Sequence, residues 1–246
     1  MAKIVVVGLG PGGLSQMTGE AMEALRDSGV IAGYDLYIDL IRGAFPEKRF
    51  LSTPMRKEVD RCRLAVEEAL KGNTVAMVCS GDAGVYGMAG LIYEVAEQMG
   101  EIEIEVVPGV TAALSGAAVL GAPLIHDFAV ISLSDLLTPW ELIEKRIRLA
   151  AEGDFVLCFY NPSSKKRFDY LRKACGLILA HRAPETPAGI VRNIGREGQE
   201  SRVMTLAELR DTPVDMFTTV FVGNSRTKVI GGKMVTPRGY KGVTID

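Results

Sequence analysis

The sequence predicts an α/β fold made of two α/β domains, and three observations support that prediction. In the first half of the chain, short runs rich in Val and Ile alternate with helical segments, as in a parallel sheet with crossover helices. After residue 187, short strands joined by tight turns indicate a mixed sheet. The break at Gly121-Ala122-Pro123 separates the two patterns, so the predicted domains are 1–122 and 123–246.

The predicted elements of the first domain follow from periodicity and punctuation. The β-branched run 4–7, bounded by glycine, is typical of a strand buried on both faces, and Thr18 opens a helix that Gly29 ends. The later predicted strands are 30–34, 74–79 and 102–107, and the helices are 18–28, 57–71, 88–99 and 111–120. The helix 57–71 is predicted to bury one stripe, made of Val59, Cys62, Ala65, Val66, Ala69 and Leu70.

The second domain is predicted to hold a mixed sheet with helices. Thr138-Pro139-Trp140-Glu141 has the pattern of a capping box with proline at the first helical position, so a helix is expected to begin there. Thr205 with Glu208 caps a short helix, and Gly231-Gly232 indicates a closing hairpin. The other predicted elements are the strands 128–133, 155–160, 188–193, 202–205 and 218–222, and a helix over 165–180.

Charge and composition exclude several function classes. The net charge of -2, with both signs mixed along the chain, argues against bulk nucleic-acid binding, which needs a basic face. The chain enters a strand directly after Lys3, and no apolar run approaches the ~20 residues of a membrane span. The four cysteines form no CxxC and mostly lie in apolar segments, which indicates buried thiols in a reducing cytoplasm. With two histidines, no metal site is expected.

The glycine loop after the first strand satisfies a dinucleotide pattern by its letters. Gly8, Gly10 and Gly13 form G-x-G-x-x-G, and Asp35 follows at about the spacing of a ribose-binding acid. A nucleotide needs free N–H groups at a helix that begins in the loop, yet Pro11 removes one donor and the helix is delayed to Thr18. We therefore favour a loop whose bare backbone lies close to a large ligand. A nucleotide-dependent oxidoreductase and a plain strand-to-helix turn are the alternatives.

Four further segments, each at the end of a predicted strand or helix, form one constellation. They are Gly8-Leu9-Gly10-Pro11-Gly12, Ser80-Gly81-Asp82-Ala83-Gly84-Val85-Tyr86-Gly87, Val107-Pro108-Gly109-Val110-Thr111-Ala112 and Gly121-Ala122-Pro123-Leu124 with His126-Asp127. In this order they resemble the tetrapyrrole methylase family, the class III S-adenosylmethionine-dependent methyltransferases, over essentially the whole chain. Two more segments, 131–140 and 159–164, resemble the branch that methylates C17 of precorrin-3B or cobalt-factor III and contracts the macrocycle.

The resemblance implies two α/β domains with a ligand cleft between them, a tetrapyrrole substrate and a homodimer. It places the S-adenosylmethionine contacts on ten residues: Leu9, Asp82, Val85, Tyr86, Thr111, Ala112, Leu133, Asn161, Ala188 and Thr219. The glycine loop, with Gly10, Pro11 and Gly12, is implied to face the tetrapyrrole.

Ring contraction requires proton transfers, for which Asp82, His126 and Tyr160 are the catalytic candidates. Each has a plainer alternative: Asp82 as a ligand contact or cap, His126 as a backbone-bonded hinge residue, and Tyr160 as a core residue. The substrate carboxylates call for cations, and seven lie in or beside predicted loops: Arg56, Lys57, Lys165, Lys166, Arg167, Arg192 and Arg226. The cations at 165–167 also begin a predicted helix, which marks a candidate anion site.

Other functions stay open on the sequence alone. The chain fits a tetrapyrrole methylase acting on another ring carbon, a protein that sequesters tetrapyrroles without turnover, or a relative of diphthine synthase. The segments 131–140 and 159–164 argue against the last by resemblance. The sequence does not distinguish a cobalt-containing from a metal-free substrate.

Overall fold

The computed structural model describes residues 2–164 and 166–242. The chain divides into two compact units, residues 1–112 and 113–246. This division lies at the beginning of an Ala-rich helix, upstream of the Gly121-Ala122-Pro123 break. Within the described residues, no helix is both long enough and apolar enough to cross a membrane.

The first unit is built on a five-stranded sheet with every strand parallel, in the order β3-β2-β4-β1-β5. The strands are β1 (Lys3–Gly8), β2 (Val30–Tyr34), β3 (Arg49–Thr53), β4 (Thr74–Cys79) and β5 (Glu103–Val107). The helices are α1 (Gly19–Asp27), α2 (Asp35–Ile41), α3 (Glu58–Leu70) and α4 (Ala89–Met99), and α5 (Ala112–Leu120) spans the division. Alternate residues of β1 enter two apolar clusters, which confirms a strand buried on both faces.

Two elements of the first unit escaped prediction. Helix α2 begins directly after β2 and has only seven residues, about two turns, which is too short for helical periodicity to be recognised. Strand β3, of sequence RFLST, is the edge of the sheet and buries only Thr53 fully, so it lacks the apolar run of a central strand. Helix α1 is capped by Thr18 as expected, because the Thr18 hydroxyl accepts the Ala21 N–H at 3.1 Å.

The predicted apolar stripe of α3 is wrong at its two ends. Val59 and Leu70 are 44% and 46% exposed, whereas Arg61 and Glu68 are buried, with only 5% of each exposed. Polar groups are buried in proteins when hydrogen bonds compensate the lost hydration. Glu68 is bonded by Arg49, Lys71 and Asn73, which accounts for its burial.

The second unit holds the predicted mixed sheet, in the order β10-β9-β11-β8-β7, and a small three-stranded sheet, β12-β13-β6. Its strands are β6 (Gly121–Ala122), β7 (Phe128–Ser132), β8 (Val156–Tyr160), β9 (Pro187–Arg192), β10 (Glu200–Thr205), β11 (Thr218–Val222), β12 (Lys228–Ile230) and β13 (Lys233–Val235). Its helices are α6 (Trp140–Glu152), α7 (Tyr170–Ile178) and α8 (Leu206–Arg210). Strands β7 and β8 are parallel, and β11 is antiparallel to both of its neighbours. The hairpins β9–β10 and β12–β13 and the Thr205–Glu208 capping box are confirmed.

Two helix starts of the second unit differ from prediction. Helix α6 begins at Trp140, but Pro139 is the N-cap with an extended ψ of 140°, so Thr138 lies too far back to cap and no capping box forms. Helix α7 begins at Tyr170 instead of residue 165. The Arg167 side chain is bonded to Ser164 and Asp135, and Lys166, Phe168 and Asp169 lie in turns instead of a helix. The helix start on which the candidate anion site rested is therefore wrong, and Arg167 is paired with Asp135; Lys165 lies outside the described residues.

The four cysteines are free and buried, as predicted. Burial disfavours the thiolate and raises the pKa of Cys62 to about 12 and of Cys79 to about 11. These thiols are packing residues rather than nucleophiles.

Candidate functional site

Backbone hydrogen bonds join the segments that follow the carboxyl ends of β1 and β4. Leu9 N–H donates to the Cys79 carbonyl at 2.8 Å, and Gly10 and Gly81 exchange two bonds of 3.0 and 2.8 Å. This single antiparallel bridge fixes the glycine loop against the loop that follows β4. Ligands of open parallel sheets bind at this edge, so the bridge belongs to the expected site.

The glycines at this edge permit backbones to approach one another. A Cβ on Gly8 would lie 2.6 Å from the Gly109 nitrogen, and a Cβ on Gly109 would lie 2.1 Å from the Gly81 carbonyl oxygen. Gly10 has a φ of +74°, and a Cβ there would lie 2.6 Å from the Gln16 carbonyl oxygen. Internal packing thus accounts for these glycines.

The third glycine of the dinucleotide pattern behaves differently. A Cβ on Gly13 would meet nothing within 4 Å, and α1 does not begin until Gly19. Gly13 is followed only by a three-residue 3-10 helix, Leu14–Gln16, so the loop lacks the α-helix N-terminus that holds a pyrophosphate. Gly10, Pro11 and Gly12 are buried, and their contact with a tetrapyrrole stays a prediction.

Asp82 organises two loops by accepting three backbone hydrogen bonds. One carboxylate oxygen, Oδ1, accepts the N–H groups of Gly84 and Val85 at 2.8 and 3.0 Å, and Oδ2 accepts the Gly109 N–H at 3.0 Å. Because both oxygens are engaged, the geometry favours Asp82 as a positioning residue over Asp82 as a proton-transfer group.

The predicted S-adenosylmethionine contacts of the first unit do lie on adjacent loops. Leu9, Asp82, Val85, Tyr86, Thr111 and Ala112 all follow the carboxyl ends of β1, β4 and β5. Leu9 is 2% exposed, and its N–H is already bonded to the Cys79 carbonyl. A hydrogen bond from Leu9 to a ligand would therefore use its own carbonyl oxygen as the acceptor. Tyr86 is 56% exposed with a φ of +55°, a conformation that is costly for an aromatic residue and is found mostly at functional sites.

In the second unit, Tyr160 and Asn161 stand at the carboxyl end of β8. The Tyr160 hydroxyl accepts the Ala113 N–H at 2.7 Å, in the first turn of α5. Asn161, with a φ of +52°, donates through Nδ2 to the Ser132 Oγ at 3.0 Å. Leu133 donates its N–H to the Tyr160 carbonyl at 2.9 Å, but its side chain is fully buried, so only its backbone can meet a ligand.

The strand register separates the two remaining predicted contacts. Val220 pairs with Phe159, so Thr219 lies level with Tyr160. Val222 pairs with both Leu157 and Ala188, which puts Ala188 level with Leu157. At about 3.3 Å per residue, Ala188 is about 10 Å along the strands from Tyr160. The structure therefore brings Thr219 to this edge and leaves Ala188 away from it.

His126 does not join Tyr160. It precedes β7, whose amino end is level with the amino end of β8, so it lies at the opposite edge of this sheet. Its Nε2 is buried without a hydrogen-bond partner among the described residues. Desolvation raises the pKa of nearby Asp154, but hydrogen bonds from Ser225 and the charges of Arg182 and His126 outweigh it, so the pKa is lowered.

A polar cluster that sequence reasoning missed links the segment 131–140 to residues that follow the segment 159–164. Asp135 accepts from Arg167 Nη1 at 3.1 Å and from the Tyr170 hydroxyl at 2.6 Å, and these bonds, Tyr170 first, lower its pKa. Trp140 packs on Tyr170 with ring centroids 4.3 Å apart. One signal in the sequence could have indicated this cluster: Asp135 and Arg167 carry opposite charges and lie in loops that follow two neighbouring strands.

Some of the predicted loop cations form ion pairs within the chain. Lys57 pairs with Asp60 at 2.9 Å, and Arg192 pairs with Asp215 at 2.7 Å. Arg226 lies against Gly239, where a Cβ would be 3.0 Å from the guanidinium. Arg56 and Lys166 are exposed. Lys165 lies outside the described residues, and none of the other six predicted cations is buried, so sequence proximity to a loop was a weak guide to a fixed anion site.

A family model for the Tetrapyrrole (Corrin/Porphyrin) Methylases matches residues 3–210. The chain therefore belongs to this family of methyltransferases. Within it, the chain is 48% identical over 236 residues to the probable cobalt-factor III C(17)-methyltransferase of Salmonella typhimurium, covering 96% of this chain and 98% of that one. It is 39% identical over 250 residues to the precorrin-3B C(17)-methyltransferase of a Sinorhizobium species, with 98% of each covered. Some relatives are longer: the chain spans 45% of the cobalt-factor III methyltransferase of Priestia megaterium.

Solved structures agree with this assignment. The methyltransferase CobJ matches with a TM-score of 0.89 and 38% identity, over 96% of this chain and 100% of that one. A uroporphyrin-III C-methyl transferase from Thermus thermophilus, complexed with S-adenyl homocysteine, matches with a TM-score of 0.70 and 23% identity, over 90% and 92% of the two chains. The second likeness shows the shared fold.

Proposed function

We propose that this chain transfers a methyl group from S-adenosylmethionine to C17 of cobalt-factor III or precorrin-3B and contracts the macrocycle, in cobalamin biosynthesis. The observation that carries the proposal is near-complete coverage of relatives named for C17 methylation, at 48% and 39% identity. The 38% identity to CobJ over the whole of its chain supports the same conclusion.

The charge of the three loops supports a sulfonium as the methyl donor. The segments 8–12, 80–87 and 107–112 contain no Lys or Arg, and Asp82 is their single charged residue. A cationic ligand is favoured near a carboxylate and disfavoured near cations. The family membership and the relative that holds S-adenyl homocysteine point to the same donor.

S-adenosylmethionine, when bound, supplies a methyl group that is already activated for in-line displacement. This chain then needs to align the donor and to exclude water, and alignment of this kind contributes about 7 to 11 kcal/mol to catalysis. Asp82, by holding Gly84, Val85 and Gly109, keeps the backbone of two loops in place for that task. The Gly10–Gly81 bridge adds the third loop to the same rigid edge.

For ring contraction, Tyr160 is the proton-transfer group that the geometry favours among the three candidates. Its hydroxyl lies at the carboxyl edge of the second sheet, whereas His126 lies at the opposite edge. Both oxygens of Asp82 are engaged by backbone donors. A tyrosine hydroxyl at this edge can donate a proton to an oxygenated carbon of the macrocycle.

A homodimer and a cytoplasmic location are part of the proposal. The first rests on the family resemblance. The second is supported by four free, buried thiols, which suit a reducing compartment.

Calorimetric titration with S-adenosylmethionine and with NADH, in one buffer, tests the donor. We expect micromolar binding of S-adenosylmethionine, about -8 kcal/mol, and no binding of NADH. Binding of NADH without binding of S-adenosylmethionine would overturn the methylase proposal and restore the dinucleotide interpretation of Gly8, Gly10 and Gly13.

A further inference from the structure

Three charged side chains are buried among the described residues: Arg61, Glu68 and Arg182. Glu68 is paired with Arg49 and Lys71, and Arg182 lies 3.2 Å from Asp154. Arg61 has no carboxylate within 4.0 Å in residues 2–164 and 166–242. A buried cation without a counter-charge is costly, which makes this arginine the exception that needs an explanation.

The position of Arg61 adds to that cost. It is the fourth residue of α3, in the helix turn where the positive end of the helix dipole disfavours a cation. Its guanidinium is held by neutral groups: Nε donates to the Thr53 Oγ1 at 2.9 Å, and Nη2 donates to the Pro54 carbonyl at 3.2 Å. These hydrogen bonds satisfy donors of the guanidinium without neutralising its charge.

Arg61 lies at the edge of the first sheet where ligands of this fold class bind. Thr53 is the last residue of β3, and Tyr34, whose ring centroid is 5.8 Å from the guanidinium carbon, is the last residue of β2. Both strands are parallel to β4 and β1, so their ends share the edge that carries the glycine loop.

One side of the guanidinium is covered by a weak acceptor. Arg61 Nη1 donates to the Met88 Sδ at 3.9 Å, in the residue just before α4. A thioether is a poor acceptor on a flexible side chain, so a carboxylate oxygen that replaced it would form a stronger, charge-assisted bond.

We propose that Arg61 is a recognition residue for a carboxylate of the acidic tetrapyrrole, which binds Nη1 in place of the Met88 thioether. The inference rests on the proposed function, because that function supplies a substrate rich in carboxylates. In this arrangement two opposite charges lie apart at the same edge of the first sheet. The loops 8–12, 80–87 and 107–112 carry only Asp82, and Arg61 lies toward β2 and β3. Among the described residues, the predicted loop cations are exposed or already paired, whereas Arg61 is fixed and buried.

The test compares Arg61→Met, Arg61→Lys and Met88→Leu with Arg63→Met, which removes an exposed arginine from the same helix. Binding of uroporphyrin III and of S-adenosylmethionine is measured for each protein, with circular dichroism and a thermal melt to establish folding. We expect Arg61→Met to weaken uroporphyrin binding about tenfold or more, with S-adenosylmethionine affinity within twofold of wild type. Arg61→Lys should recover part of the loss, Arg63→Met should resemble wild type, and Met88→Leu should bind uroporphyrin at least as tightly as wild type.

Three results would overturn the inference. They are wild-type uroporphyrin affinity in folded Arg61→Met, weaker uroporphyrin binding by Met88→Leu, and no saturable uroporphyrin binding by the wild-type protein. If Arg61→Met does not fold, the result for Arg61→Lys is decisive. Equal losses of affinity for uroporphyrin and for S-adenosylmethionine would show that Arg61 has a structural role and would contradict recognition. Failure of the wild-type protein to bind S-adenosylmethionine would instead contradict the proposed function.

Discussion

Asp82 illustrates how a single carboxylate can set the shape of a site. Its two oxygens bind three backbone N–H groups from the loops after β4 and β5. In Asp82→Asn, an amide NH₂ would face at least one of these donors, so at least one bond is lost and repulsion replaces it. We expect S-adenosylmethionine affinity to fall about tenfold, in line with about 1.5 to 3 kcal/mol for a hydrogen bond to a charged group.

Calorimetry with Asp82→Asn checks this expectation, and Asp39→Asn is the control because Asp39 is exposed on α2. Unchanged affinity for S-adenosylmethionine in folded Asp82→Asn would show that the carboxylate does not position the loops after β4 and β5 for binding.

Tyr160 allows methylation and contraction to be separated. Tyr160→Phe removes the hydroxyl that accepts the Ala113 N–H. If this hydroxyl transfers a proton, contraction should slow by about 10² or more while S-adenosylmethionine affinity changes little. Mass spectrometry follows the methyl, absorbance follows the chromophore, and Tyr240→Phe, at an exposed tyrosine, is the matched control. Contraction at the wild-type rate in Tyr160→Phe would remove Tyr160 from the proton-transfer chemistry.

The positions of the candidate site residues were predictable from sequence to the extent that they follow from a place at a strand end. Asp82, Thr111, Tyr160 and Asn161 come directly after strands, and the structure puts them at carboxyl edges. Ala188 and His126 also flank strands, but they stand at the amino ends of β9 and β7, which run in the same direction as β8, so they lie away from its carboxyl edge. Strand direction depends on the complete topology, which no local pattern reports. The pairs Asp135–Arg167 and Glu68–Arg49 join segments that are distant in sequence. They could not be predicted, because their contact also depends on the complete topology.

At the scale of elements, close backbone approach holds the loops of the first unit together. Gly109→Ala would place a Cβ 2.1 Å from the Gly81 carbonyl oxygen, so the loops after β4 and β5 must separate. We expect a loss of about 1 to 3 kcal/mol in unfolding free energy and loss of S-adenosylmethionine binding.

Gly90→Ala is the matched control, because Gly90 lies in α4 and a Cβ there meets nothing within 4 Å. Alanine is the better helix former, so this variant should gain up to about 1 kcal/mol. Chemical denaturation measures both variants. A Gly109→Ala protein as stable as wild type would refute the close-packing account of these glycines.

Element prediction succeeded where an element is buried and long. The central strands β1, β2, β4 and β11 were predicted because apolar runs report burial on both faces. The edge strand β3 and the seven-residue α2 lack that signal. At α6 the residue types of a capping box were present without its geometry, because Pro139 itself takes the extended N-cap conformation.

Across the whole molecule, paired carboxylates make stability depend on pH. The Arg49 hydrogen bond lowers the pKa of Glu68, and the Tyr170 hydrogen bond lowers that of Asp135. A carboxyl with a lowered folded-state pKa contributes stability that is fully present above its unfolded pKa, about 4, and lost as the pH falls through the folded value. The protein should therefore be less stable at pH 3 than at pH 7.

Denaturant unfolding of Glu68→Gln at both pH values isolates one such group. Glutamine does not titrate, so the difference in unfolding free energy between pH 7 and pH 3 should be smaller than in wild type. Glu101→Gln, at an exposed position, should leave the difference unchanged. An equal difference in Glu68→Gln and wild type would show that Glu68 does not contribute to acid sensitivity.

The central claim for the molecule is C17 methylation, and the mass of the product tests it most directly. Cobalt-factor III and precorrin-3B would each be incubated with S-adenosylmethionine and a substoichiometric amount of the protein, and the products analysed by mass spectrometry and NMR. The account predicts a gain of one methyl group at C17 of one of these macrocycles, in many-fold excess over protein, with a changed absorption spectrum. A methyl at another carbon would identify a different tetrapyrrole methylase, and a macrocycle bound in stoichiometric amount without any mass gain would contradict catalysis altogether.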